Sequence, residues 1–373
     1  MSNFWCEVDL NAIEHNLNII KKLIGDKKLI GVIKGDGYGL GIEEISNFLQ
    51  DKVDILAVGN LEESKKISVK TDILILSPLC KIEDFKDERD NLIFSIDNEE
   101  IIDSLPKDSK RRVHIYLDTG MNRMGIKLNR IDAVIENFKN NYPNIKIEGL
   151  YTHLHKCKDV KYTVSQVLRF KKASEKYKEE IPLIHCLASS GILDNDIRKA
   201  ADFTTAARGG NIIYGYAGYN RGIKKTFTYY AVPINTCKVA KGEQVGYGGL
   251  FTAKHDMTIG VLECGNVNGM GITREIKNGV LYDMFRVLYR SIKKRYIIFN
   301  NGRPVEILGK PNMNVTLIDM TGIDKDAKLK VDLSPIISES TIDKKYIGRK
   351  EDKLDIKEVT GSISEDKTLK IEE

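Results

Sequence analysis

Apolar, β-branched runs recur at residues 29–33, 55–58, 73–76, 92–96, 113–117, 145–151, 183–187 and 203–206. Each is too short for a buried helix and reads as a buried strand. Between them the spacing turns helical. Ile13, Leu17, Ile20 and Leu23 follow an Asn11–Glu14 pair that suits a helix cap. Val164, Val167 and Leu168 mark another such stretch before the lysine-rich 171–178. About eight strands, each followed by a helix-sized gap, predict an α/β fold built as a (β/α)8 barrel. A doubly wound parallel sheet is the other topology this count permits.

From about residue 227 the pattern changes. Short strands at 229–234, 257–262, 305–308 and 315–319 are punctuated by Gly, Asn and Pro, with no long helical repeat between most of them. The expected division is a barrel over residues 1–226 and a mainly β domain over 227–373. The strand at Glu7-Val8-Asp9 is open to assignment to the β domain. Residues 349–357 and 365–373 are charged or polar and are expected to be exposed, the last of them frayed.

Composition narrows the function classes. The 58 basic and 53 acidic residues are interspersed, so the net charge of +5 describes a solvated surface, not a nucleic-acid footprint. The start lacks the basic and apolar regions of a signal peptide. No apolar run approaches the ~18 residues of a membrane span. Six cysteines without a C-x-x-C pair give no metal or disulfide framework. A cytoplasmic enzyme without a metal centre is the expectation.

The stretch richest in chemistry is Val32-Ile33-Lys34-Gly35-Asp36-Gly37-Tyr38-Gly39-Leu40-Gly41. A lysine at the mouth of a buried strand is poorly hydrated, which favours its neutral, nucleophilic form. Neutral lysine condenses with an aldehyde, the anchoring chemistry of pyridoxal 5'-phosphate. Taken alone, the segment also fits a lysine snorkelling beside a flexible loop. The barrel pattern adds a second indication. It places Lys34 after the first strand, Arg123 after the fifth, His153 after the sixth, Ser189-Ser190-Gly191 after the seventh and Arg208-Gly209-Gly210-Asn211 after the eighth. Chemistry in such barrels sits at those strand ends. His15, His114 and His185 read as packing residues. His155, close to His153, lacks companions for a metal site.

Several segments, in order, resemble those of the alanine racemase family. The Lys34 segment is similar to its V-V-K-A-N-A-Y-G-H-G, matching at Lys34, Tyr38, Gly39 and Gly41. Asp118-Thr119-Gly120-Met121-Asn122-Arg123 resembles D-T-G-M-N-R, and Gly149-Leu150-Tyr151-Thr152-His153 resembles G-x-x-T-H. Ala207-Arg208-Gly209-Gly210-Asn211 resembles V-R-P-G-I, and Val245-Gly246-Tyr247-Gly248 resembles V-S-Y-G. The resemblance implies the same two-domain fold and a homodimer with a shared active site. It implies an amino-acid racemase using pyridoxal phosphate, with alanine the first expectation for the substrate.

Residue by residue, the resemblance implies that Lys34 carries the cofactor and serves as one proton-transfer base. Tyr247, from the partner subunit, serves as the other. Tyrosine, with a usual pKa of about 10, needs a neighbour to act near neutrality, and His153 hydrogen-bonded to Arg208 matches the family's support for it. Arg208 would face the pyridine nitrogen. Ser189, Gly210, Asn211 and Tyr38 would hold the phosphate. Arg123 and the backbone at Met313 would hold the substrate carboxylate.

Departures are equally specific. Tyr116 stands where the family often carries a carbamylated lysine. Ala188 replaces an asparagine. Asn266 and Glu365 replace entrance tyrosines, and Asn314 replaces the aspartate of the family's C-M-D segment. Retained chemistry behind an altered entrance suggests a substrate other than alanine, such as serine or a larger amino acid. A related decarboxylase and a pyridoxal-phosphate-binding protein without racemase activity are the remaining alternatives.

Overall fold

The computed structural model describes residues 2–76, 81–216, 221–272, 282, 284–285, 296–338, 341–348 and 358–359. Cys80, Glu365 and the charged 349–357 segment lie outside them. The chain forms two compact units. One is Leu10–Thr226; the other combines Met1–Asp9 with the chain from Phe227 onward.

Strand β1 (Phe4–Asp9) belongs to the second unit. The first unit contains β2 (Lys28–Val32), β3 (Ile55–Val58), β4 (Asp72–Ile75), β5 (Leu92–Ile96), β6 (Arg112–Asp118), the short β7 (Ile126–Lys127), β8 (Lys146–Tyr151), β9 (Leu183–His185) and β10 (Ala206–Gly209). Eight of them form a parallel sheet in the order β10-β2-β3-β4-β5-β6-β8-β9, with β7 beside β6. Hydrogen bonds bring the two edges together: Thr205 N donates to Ile184 O and Arg208 N to Leu187 O, each at 2.9 Å. The result is a nearly closed (β/α)8 barrel.

The period of two decides what fills it. Ile30 and Val32, Ile55 and Ala57, Leu74, Ile93, Leu183 and Ala206 form one buried cluster. Each large member gains roughly 1.5–3 kcal/mol from leaving water. Arg208 lies two residues beyond Ala206 and pairs in register with Ile30, so it points to the same side. That places a guanidinium in the interior layer.

Helices cover the outside. The helix Leu10–Ile24 buries Ile13, Leu17 and Ile20, as their spacing predicts. It begins at Leu10, one residue before Asn11, so Asn11 sits in the first turn and not at the cap. In the helix Val160–Ser174 the buried face is Thr163, Gln166, Val167 and Phe170, while Leu168 is exposed. The last barrel strand lies three residues later than the 203–206 run. Phe203 packs against Phe170 outside the barrel, and the strand continues through Arg208 and Gly209.

In the second unit β1 pairs antiparallel with β11 (Phe227–Ala231) within a seven-stranded sheet. Strands Asn235–Val239, Met257–Leu262 and Thr316–Asp319 form a separate three-stranded sheet, and Gln244–Val245 pairs with Phe251–Thr252 in a hairpin. Among the described residues no helix is long and apolar enough to cross a membrane.

Candidate active site

Lys34 leaves the barrel two residues beyond β2. The backbone then turns left-handed at four successive residues, with φ of 65, 54, 63 and 60° at Gly35, Asp36, Gly37 and Tyr38. Ordinary L-residues lose roughly 1–2 kcal/mol each in that conformation, and glycine does not. Asp36 fastens the turn to the next helix: its carboxylate accepts from Ile42 N and its carbonyl from Gly41 N, both at 3.0 Å. Burial pushes the Lys34 amine below its ordinary pKa, and the Arg123 and Arg208 charges push it the same way; Glu63 opposes them. The amine is therefore biased toward its neutral, nucleophilic form.

Across the barrel, register builds a row of rings. Tyr116 pairs with Tyr151, and Tyr151 with His185, on β6, β8 and β9. The rings stack, with centroids 4.9 Å apart for the first pair and 5.0 Å for the second. Arg208 lies over Tyr151 at 5.3 Å. Its Nη1 bonds His185 Nδ1 at 2.6 Å and its Nη2 donates to Thr152 O at 2.7 Å. His185 Nε2 in turn meets His114 Nδ1 at 3.1 Å. His114 faces Gly149, where a methyl would come within 2.6 Å of the imidazole.

Arg208 thus bonds His185 and not His153, the partner expected from the sequence. His153 still belongs to the same electrostatic cluster. Burial, then Arg208, Arg123 and Lys34, lower its pKa to about 3, so it is neutral at physiological pH. His185 had read as a packing residue; here it orients the buried guanidinium. A partner 23 positions away in sequence left no local signal.

Arg123 sits in the loop after β6 with its charge directed at Lys34, Tyr116 and His153. Tyr116 is 1% exposed, its hydroxyl donates to Met121 Sδ at 3.8 Å, and the Arg123 charge acts on it. Burial raises its hydroxyl above the usual tyrosine range, so the partner at this position is a neutral phenol.

At the other side of the barrel mouth, Ser189 Oγ accepts from Gly210 N at 3.3 Å and Ile212 N at 3.2 Å. Tyr38 closes over Gly210, and a Cβ there would collide with the tyrosine hydroxyl. Glycine at this position leaves a backbone cradle beside a hydroxyl, with the Asn211 amide next in the chain. Such donors suit an anion.

In the second unit, Tyr247 sits in the Tyr247–Gly249 turn and is 89% exposed. Met313 is 69% exposed, and its carbonyl accepts from Val267 N at 3.1 Å. Asn266 Nδ2 donates to Pro311 O at 3.3 Å, which ties the 266 segment to the one carrying Met313.

Residues 8–218 match the sequence profile "Alanine racemase, N-terminal domain", and residues 226–342 match "Alanine racemase, C-terminal domain". The chain belongs to the alanine racemase family. An alanine racemase from Borreliella burgdorferi is 30% identical over 348 residues, covering 88% of this chain and 87% of that protein. One from Fusobacterium nucleatum is 29% identical, covering 84% and 85%. The fold is shared with the Clostridium difficile 630 alanine racemase at a TM-score of 0.77, 23% identity and coverage of 93% and 96%. A Bacillus anthracis alanine racemase, solved with bound L-Ala-P, gives a TM-score of 0.75 at 19% identity, covering 96% of this chain and 97% of that one. Family membership makes the chain an isomerase, an amino-acid racemase.

Proposed function

We propose that this chain racemises alanine with pyridoxal phosphate, using Lys34 and Tyr247 as bases on opposite faces of the substrate Cα. The observation that carries this reading is the place of Lys34, two residues past β2 at the barrel mouth, with the Arg123 and Arg208 charges acting on its amine. The residues present fit the cofactor. The amine can condense with its aldehyde, and the Gly210 cradle with Ser189 and Tyr38 suits its phosphate. When bound, the cofactor supplies an electron sink for charge at Cα.

The remaining work falls to the chain's own groups. Lys34 Nζ removes or returns a proton on one face of Cα, and the Tyr247 hydroxyl does so on the other. Arg208, cationic and held by His185 and Thr152, would offer the cofactor's ring a guanidinium and no carboxylate, which would limit how strongly electrons are withdrawn. Ser189 and the amides of Gly210 and Asn211, with Tyr38, bind the phosphate. Arg123 and the Met313 amide bind the substrate carboxylate, for which a guanidinium fork is suited.

A base as exposed as Tyr247 is not shielded from water within its own chain. The reading therefore assigns Tyr247 and Met313 to the site of a second copy in a homodimer. Mixing K34A and Y247F subunits tests this. Neither variant alone should racemise alanine. Random hybrids should recover about one quarter of wild-type activity, because half the dimers then hold one intact site. No recovery from subunits shown to exchange rejects the shared site.

A second reading, a larger amino acid as substrate, is favoured by Asn266, at the position where the resemblance places an entrance-narrowing tyrosine.

A further inference from the structure

Glu63 lies in the first turn of the helix Leu61–Lys65. Its carboxylate oxygens are divided between two loops. Oε1 accepts from the Gly35 amide at 2.6 Å, and Oε2 from the Gly59 amide at 2.7 Å. Gly35 directly follows Lys34, and Gly59 directly follows β3, the neighbour of β2. One side chain therefore ties together two adjacent strand ends at the barrel mouth. The Glu63 backbone is itself anchored, because the N-cap Asn60 Oδ1 accepts from Glu63 N at 2.9 Å. Packing is close as well: a methyl on Gly59 would lie 3.2 Å from Glu63 Oε2 and 3.5 Å from Lys34 Cβ.

Gly35 opens the left-handed turn, and a glycine there is free to take many other conformations. A short, charge-assisted bond to its amide removes that freedom directly behind the lysine. The charges facing Lys34 come from four elements. Arg123 comes from the loop after β6, Arg208 from β10, His153 from the segment after β8, and Glu63 from its helix. The arginines are cationic and His153 is neutral, so Glu63 supplies the negative charge in this set.

We propose that Glu63 is the positioning residue of Lys34: its bond to the Gly35 amide aims the lysine into the barrel mouth, and its carboxylate is the countercharge to the ammonium form. The proposal rests on the reading of Lys34 as the cofactor-bearing lysine.

The test measures capture rather than turnover. Full-length protein freed of cofactor is mixed with pyridoxal phosphate over a pH series and trapped with cyanoborohydride. The adduct at Lys34 is then quantified by peptide mass spectrometry in wild type, E63Q and E63A. Glutamine keeps the side chain's shape and removes its charge, so E63Q guards against a loss of folding in E63A. The carboxylate favours the ammonium form, so removing it should move the capture midpoint to lower pH in both variants. The plateau rate should also fall about tenfold in E63A. Variant profiles that superimpose on the wild type, whatever their thermal stability, overturn the proposal. Absence of capture at Lys34 in the wild type overturns instead the reading on which it rests.

Discussion

Arg208 Nη1 lies 2.6 Å from His185 Nδ1, and this contact fixes the protonation of two buried imidazoles. A guanidinium only donates, so His185 Nδ1 accepts and its proton sits on Nε2. That proton is donated to His114 Nδ1, which leaves the His114 proton on Nε2, a buried atom with no hydrogen-bond partner among the described residues. Both rings must remain neutral beside the buried cation. Burial, the largest cause, lowers His114 to about 3 and His185 well below its usual value.

A pH dependence of stability follows. Unfolded histidines take up protons below about pH 6.5, whereas folded His114 does not until about pH 3. Its contribution is fully present above 6.5 and is lost as the pH falls toward 3, by about 1.4 kcal/mol per pH unit. Urea unfolding at pH 7.5 and 5 should show wild type losing more stability than H114Q over that interval. Equal losses would show that His114 is not held neutral.

Tyr116 makes a second prediction. Its buried hydroxyl feels the Arg123 charge and donates to Met121 Sδ. Y116F removes the hydroxyl dipole that faces the Arg123 charge, and should lower kcat/KM roughly fivefold, about 1 kcal/mol, with little change in melting temperature. Removing carbon dioxide from the buffer should leave wild-type activity unchanged, because a tyrosine forms no carbamate. Activity that falls and returns with bicarbonate would refute this.

Two glycines near the site should behave differently when changed to alanine. At Gly35 a Cβ meets nothing within 4 Å, so G35A is limited to the backbone cost, about 1 kcal/mol. At Gly149 a Cβ would lie 2.6 Å from the His114 ring in a packed barrel. G149A should therefore cost about 3 kcal/mol or more, and thermal unfolding distinguishes the two.

Most barrel strands were legible because each is a short apolar run of the right length, and the order of the matching segments carried the family. The last strand was misplaced because its functional half, Arg208 and Gly209, is charged and small, while the preceding Phe203 is apolar for a different packing reason. The glycines after Lys34 are plain in the sequence, but the left-handedness of the turn they make emerges only from the backbone angles. His185 and Glu63 were not distinguished because their roles come from register and from loops brought together by the barrel. Tyr116 stands out in the sequence as a departure; that its ring stacks on Tyr151 and its hydroxyl reaches Met121 is a property of the fold.

The most direct test of the proposed chemistry is to incubate the protein with pyridoxal phosphate in D2O, with each common amino acid in both hands, and to follow Cα deuterium and chirality. Two opposed bases predict deuterium incorporation with inversion from either enantiomer, with alanine the expected best substrate. Inversion of another amino acid roughly tenfold faster than alanine, about 1.4 kcal/mol of preference, would keep the proton chemistry and move the substrate. Loss of the carboxylate, or no exchange with any amino acid, would contradict the account.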